Sequence, residues 1–275
     1  MKRNYFTMLL MVLVTGVFTN NLNAQGTYVN INIGYGLKMS SQNMPDYNMS
    51  NLTIDSTSST MKQINLSLGQ GLTAQVAFGY MFTKNIGVEM GLSYLLGAKI
   101  KATSVYGAGI ISDYFLSAQM FRLNPSVIIA CGFNKIDPYA KLGVIIGFGS
   151  IKNEQDNYET GSTEVMKTTL NGGVAFGLNA SAGVLFKLTK LVSLFGEINI
   201  INLSWAPTKG KMTEDNLNGT DLLPNMTTSQ KKIDFVKSYT NDSKNPRSDS
   251  DPRQELAEKF PFGSVGLNVG VRFSL

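Results

Sequence analysis

The stretch SVGLNVGVRFSL, residues 264–275, decides the fold. Val265, Leu267, Val269, Val271, Phe273 and Leu275 alternate with Ser264, Gly266, Asn268, Gly270, Arg272 and Ser274. A period of two marks a strand, because successive side chains point to opposite faces. One face here is wholly apolar, and the other is small or polar. Alternation alone does not place the apolar face. A soluble sandwich turns it inward, whereas a membrane barrel turns it toward lipid.

Seven earlier segments repeat the pattern. Their apolar faces run over residues 29–37, 72–82, 86–96, 121–131, 140–148, 174–186 and 192–200, and none of these apolar positions is charged. The opposite parity is mostly Gly, Ser, Asn and Ala, which suits a crowded interior better than a solvated sheet face. Tight turns at Thr83-Lys84-Asn85, Asn134 to Asp137 and Leu188-Thr189-Lys190 alternate with long connections. Short turns on one side and long loops on the other are the habit of outer-membrane barrels. Tyr80, Phe82, Phe186 and Phe273 fall near the turn side of the apolar band. Tyr35, Tyr94, Phe121, Phe148 and Phe176 fall near the loop side, as two aromatic girdles would. The expectation is all-β: a closed eight-stranded antiparallel transmembrane up-and-down β-barrel with long extracellular loops. Pro125 lies mid-strand without an N–H to give, so a bulge or local irregularity is expected there. Cys131 is expected to face lipid near the turn end as a small hydrophobe.

Composition narrows the chemistry. Charged residues are 16% of the 275, against about 25% in an ordinary soluble domain. There is no His, which removes Ser-His-Asp and Cys-His catalysis and HExxH metal sites together. One Cys closes no internal disulfide and builds no multi-Cys metal site. The formal charge of +5 forms no dense basic patch, so no nucleic-acid partner is expected. No cofactor and no metal site are expected; residues 242–251 lack the spaced ligands and Gly of an EF-hand loop. Lys2 and Arg3 precede an apolar run of eleven, Met8 to Phe18, too short to span a membrane. Residues 1–24 therefore read as a signal peptide cleaved after Ala24, and residues 25–275 as the barrel.

The end of the last strand resembles the C-terminal signal by which outer-membrane barrels are recognised by their assembly machinery. The residues that carry it are Asn268, Gly270, Phe273 and Leu275, with Leu275 where an aromatic is usual. Together with the alternation, the turns and the leader, this makes the chain similar to small outer-membrane β-barrels of the PorT-like and OmpA-transmembrane or OmpX types. The resemblance implies an outer-membrane location in a Gram-negative-type envelope, surrounding lipid, and contact with the assembly machinery during biogenesis.

Glu89, Arg122, Lys141, Glu197 and Arg272 fall on the inward parity. An eight-stranded barrel is just wide enough for side chains to fill, so these charges should pair. Glu197 with Arg272 is the expected pair, with Glu89 and Lys141 as a looser second. They form either a plug that holds the barrel together or a gated ion path.

Residues 205–261 form a long outer loop with nine basic and nine acidic residues. Two short helices are expected in it, from Ser229 to Tyr239 and from Asp251 to about Phe260. The loop is either a docking surface for a protein partner or a mobile solvated segment. Three functions compete. The first is a non-enzymatic barrel with a structural, adhesion or complex-subunit role, including a protein-secretion accessory. The second is a narrow porin-like channel for ions or small solutes. The third, an enzyme, lacks any nameable base.

Overall fold

A computed structural model describes residues 26–39, 50–55, 57–240 and 246–275. The leader, residues 1–24, lies outside them. The described chain is strand nearly throughout, with seventeen strands. Eight long ones form a ring: β1 (Gly26–Lys38), β2 (Gly71–Met81), β3 (Ile86–Gly97), β4 (Ile110–Ala130), β5 (Ile136–Glu159), β6 (Ala175–Lys187), β7 (Val192–Trp205) and β8 (Ser264–Ser274). Each pairs antiparallel with the next. β8 returns to β1, from Tyr28↔Ser274 to Lys38↔Ser264, so the ring has no free edge.

Exposure settles which face looks out. Ile33, Leu142 and Val269 are 64%, 65% and 61% exposed, while Asn30 and Asn32 on the other parity are 0% and 4%. Within the belt the apolar face therefore points outward on every ring strand. So continuous an apolar belt is foreign to a soluble monomer. Tyr35, Phe121, Phe148 and Phe176 mark one rim of the belt, and Phe82, Phe186 and Phe273 the other.

Three tight turns join strands at the second rim, and a side chain holds each. The Thr83 hydroxyl accepts from the N–H of Asn85 and Ile86, both at 3.1 Å. Thr189 accepts from Leu191 and Val192 at 3.2 and 3.0 Å in the same way. In the third turn Asp137 accepts from Gly132 and Phe133 at 2.7 and 3.1 Å. Cys131 sits just past β4 and is exposed. At Pro125 the pairing with β5 lapses: partners resume from Leu123↔Ile146 to Ser126↔Gly143 without a register shift. The irregularity is thus a gap in the ladder, as a missing N–H dictates.

At the other rim the chain departs from a set of loops. β4 and β5 run on past the girdle and pair as far as Ile111↔Tyr158. Strand Ile100–Tyr106 pairs with β4 and hairpin Ser50–Gln63 adds to it in turn. On the other side Ser162–Asn171 pairs with β5, and Lys209–Leu217 pairs with Ser162–Asn171. Lys209–Leu217 ends in an Asn218-Gly219 turn, both residues at positive φ, 52° and 86°. Asn-Gly suits a tight hairpin turn for that reason.

The two helices expected between residues 229 and 260 are not there. One turn, Thr228–Lys231, is capped by Thr227 and Gln230 in a reciprocal box, and the chain then becomes strand Lys232–Val236. Lys-Ile-Asp-Phe-Val alternates with period two, and Ile233 and Phe235 are buried. The second expected helix is strand Arg253–Leu256, parallel to Ile233–Val236. Where described, residues 205–261 therefore carry strands rather than the two expected helices.

Candidate functional site

The interior of the ring is filled at two levels. At the level of the apolar belt lie all five inward charges, each buried. Lys141 bridges both carboxylates, with Nζ 2.8 Å from Glu89 Oε1 and 3.1 Å from Glu197 Oε2. Glu89 also accepts from the Tyr28 hydroxyl at 2.9 Å and Asn30 Nδ2 at 2.7 Å. Glu197 accepts from the Tyr139 hydroxyl at 2.9 Å and Asn268 Nδ2 at 3.0 Å. Arg272 donates from Nε to Asn30 Oδ1 at 2.9 Å and stacks 3.8 Å over the Tyr28 ring. Its nearest carboxylate oxygen, Glu89 Oε2, is 4.0 Å away.

The expected Glu197–Arg272 pair does not form. Glu197 stands opposite Asn268, and Arg272 stands opposite Ser193. That offset of four residues is about 13 Å along the strand. Lys141 takes Glu197 instead, and the pair Glu89–Lys141 is the tight one. Among the described residues Arg122 joins no ion pair.

Sequence reasoning missed Tyr28, Asn30 and Tyr139. The signal was present, since both tyrosines lie on the inward parity and look across at glycine. A Cβ on Gly79 would come 2.0 Å from Tyr28 Cζ, and one on Gly183 would come 2.7 Å from the Tyr139 hydroxyl. The two glycines give the rings the room from which their hydroxyls reach the glutamates.

Beyond the girdle the interior becomes apolar. Tyr114, Leu116, Ala118 and Met120 of β4 point inward, with Ile151 of β5 and Leu203 and Trp205 of β7. Residues from the connections complete this core: Leu66, Leu68, Ile233, Phe235, Phe260 and Phe262. Phe262 meets Trp205 edge to face at 6.1 Å. Two irregular segments are clasped over the opening: the N–H of Leu68 donates to the Pro261 carbonyl at 2.9 Å, and that of Phe262 to the Leu203 carbonyl at 2.8 Å. Gly69 permits this approach, since a Cβ there would stand 2.2 Å from the Phe262 carbonyl oxygen.

The outer face of this upper section is charged. Lys99 and Glu154 pair at 2.7 Å, Lys167 and Glu214 at 2.8 Å, and Lys101 and Asp113 at 2.9 Å. Burial opposes ionisation of Asp113, but hydrogen bonds from Lys101 and Thr103 outweigh it and hold the carboxyl below its usual range. The hydrogen bond to Glu214 raises Lys167. Burial raises Asp215, and nearby Glu164 and Asp221 push the same way. Asp156 is raised too, by burial and then by Glu154.

The terminal residues singled out in the sequence take different places. Asn268 faces inward on Glu197. Gly270 faces inward where a Cβ would meet the Ile31 carbonyl at 2.4 Å. Phe273 and Leu275 face outward, and the Leu275 N–H still donates to Thr27 at 2.9 Å.

The family comparison agrees with this architecture. The family model described as "Outer membrane protein beta-barrel domain" matches residues 6–223. A search of curated proteins returns no match. Among solved structures, Neisserial surface protein A is 13% identical with a TM-score of 0.39, covering 92% of this chain and 100% of that one. Ail, the attachment invasion locus protein of Yersinia pestis, solved with the heparin analogue sucrose octasulfate, is 12% identical at TM-score 0.29, covering 90% and 99%. The outer membrane protease OmpT of Escherichia coli is 8% identical at TM-score 0.33, covering 94% and 99%. The family match spans well over half of the chain, from ahead of β1 to beyond the Asn218-Gly219 turn: the chain belongs to the outer membrane protein beta-barrel domain family.

Proposed function

We propose that this is a non-enzymatic, non-conducting barrel that spans the outer membrane and presents a folded outer surface to a protein partner. The single observation that carries the reading is the double occlusion of the ring. An ion-paired plug and, above it, an apolar core fill the ring, and the cavity between them holds about 20 Å³. An interior filled in this way suits a chain that works through its outside. In this reading the exposed apolar belt meets lipid, the tight turns face the periplasm, and residues 1–24 are removed on export. Asn268, Gly270, Phe273 and Leu275 serve recognition by the assembly machinery.

The outer surface is the part built for contact. Strands Lys209–Leu217, Lys232–Val236 and Arg253–Leu256 form a sheet edge beside a groove of about 470 Å³. Tyr239, Arg253 and Leu256 line that groove, with Tyr239 and Leu256 exposed. A structural or adhesion role, or a subunit's place in a secretion complex as the PorT-like resemblance implies, would use this surface. Gentle detergent extraction tests it. A partner retained by the native chain and lost from a Tyr239→Ser, Arg253→Ser, Leu256→Ser variant, which keeps its heat-modifiable gel mobility, supports the reading. Extraction of the native barrel alone counts against it. Discrete conductance steps in planar bilayers, altered by Lys141→Met, would replace it with the channel.

A further inference from the structure

Charge inside the belt does not balance. Glu89 and Glu197 are two carboxylates, while Lys141, Arg272 and Arg122 are three cations, and all five are buried. Asp137 and Lys187, lower down, pair with each other at 3.1 Å and cancel. The excess charge has an address. Lys141 and Arg272 contact the carboxylate network, but Arg122 does not. Its side chain is among the largest fully buried ones, at 1% exposure, and its Nε and one terminal nitrogen have no hydrogen-bond partner. No described carboxylate lies within ion-pair distance of it.

Arg122 lines the small cavity between the two plugs. The cavity floor is the carboxylate network itself, Glu89, Lys141 and Glu197, in which Lys141 already bridges the two carboxylates; Ser93, Ser126 and Asn124 share the rest of the lining. Glycines give three lining side chains their room: a Cβ on Gly143 would fall 2.3 Å from Ser126 Oγ and 2.8 Å from Asn179 Oδ1, and one on Gly266 would fall 2.3 Å from Asn199 Oδ1. The cavity volume of about 20 Å³ admits one particle near the size of a water molecule. Water supplies hydrogen bonds but no charge. A buried guanidinium without a counter-charge costs several kcal/mol after relaxation, by the general cost of burying an ion.

We propose that this cavity is a binding site for one small monovalent anion of the chloride class, held by Arg122. The anion accepts from the unpartnered guanidinium nitrogens, and the Ser93 hydroxyl, whose oxygen accepts from Asn124 Nδ2, is free to donate as well. It brings the interior charge to zero. Because the apolar core lies above and the ion-paired plug below, the anion enters as the ring closes and stays. The site is thus a counter-ion built into the folded barrel, separate from any outer-surface partner.

Bromide is the probe. The full mature chain is refolded from denaturant into detergent with sodium bromide or with sodium gluconate at equal ionic strength. Crystals from the bromide sample should show an anomalous peak within hydrogen-bond distance of the Arg122 guanidinium. Unfolding on heating should be about tenfold slower after refolding in bromide than in gluconate. Arg122→Gln should lose both the peak and the salt difference. Should Arg122→Gln fail to fold, Ser93→Val, which puts a methyl in place of a lining hydroxyl and keeps the cation, should lose the peak. Density without anomalous signal at the cavity, or equal unfolding rates of the native chain in the two salts, overturns the proposal.

Discussion

The two halves of the ring interior obey opposite rules along the same strands. On β4, residues up to Met120 place apolar side chains inside and Asp113, Ser117 and Gln119 outside. From Phe121 onward the outside is apolar and the inside carries Arg122 and Asn124. β5 makes the same exchange, with Leu142 to Phe148 outward below and Lys152 and Glu154 outward above. Parity never slips; only the chemistry assigned to each parity changes. The upper half is built like a soluble domain, whose burial is driven by apolar area leaving water. In the lower half the apolar face is the outer one, and the interior is held by buried hydrogen bonds and ion pairs. The lesson is that one strand can cross a solvent boundary without a kink, by swapping the residues on its two faces.

Each half can be broken separately. The largest effect belongs to Lys141→Met, which leaves Glu89 and Glu197 buried without their shared cation. Removing one partner of a buried pair costs about 3–5 kcal/mol. The folded, fast-migrating gel band should then vanish at a markedly lower temperature, and Glu89→Gln with Glu197→Gln should restore much of the loss. Trp205→Ala should cost about 3–5 kcal/mol as a core truncation, but in the upper half. Hydrogen exchange should quicken in Tyr114–Met120 while Ile128 and Lys141 stay protected; uniform quickening would mean that the halves are one cooperative unit. Gly79→Ala pushes a methyl into the Tyr28 ring and should cost about 1–3 kcal/mol by overpacking, read from the gel transition. The smallest effect is electrostatic and confined to the upper surface. The Asp113 carboxyl is held below its usual range, so its contribution is present above the unfolded value. It is lost as pH falls through the folded one. With Lys101 half exposed, the pair is worth about 0.2–1 kcal/mol. Proteolysis of the outer hairpins should accelerate as pH falls below the normal carboxylate range, and Asp113→Asn should remove that dependence.

The lower half was legible in the sequence and the upper half was not. Within the belt a strict period of two meets a uniform environment, so the outward residues, the girdles, the turns and the five inward charges can all be read from order alone. Which charges pair cannot. Glu197 and Arg272 lie on adjacent strands, yet the register that separates them by four residues is set by turn geometry and by closure around the whole ring. Above the belt the apolar inward residues interleave with polar outward ones in the parity opposite to that below. Leu66, Leu68 and Phe262 come from irregular segments and Phe260 from a two-residue strand, all without period. Ile233 and Phe235 carried a strand pattern short enough to pass for a helix face. Arg122 was placed inside by parity, but its lack of a partner becomes visible only once the other four charges have found theirs.

The overrun of β5 sets a standoff. From Phe148 at the girdle to Glu159 at the tip the strand rises eleven residues. That is about 36 Å of backbone at roughly 3.3 Å per residue, or about 28 Å of height at a barrel tilt near 40°. The strand is a single stiff mast with β4 as its stay. Whatever meets the tip does so well clear of the apolar belt.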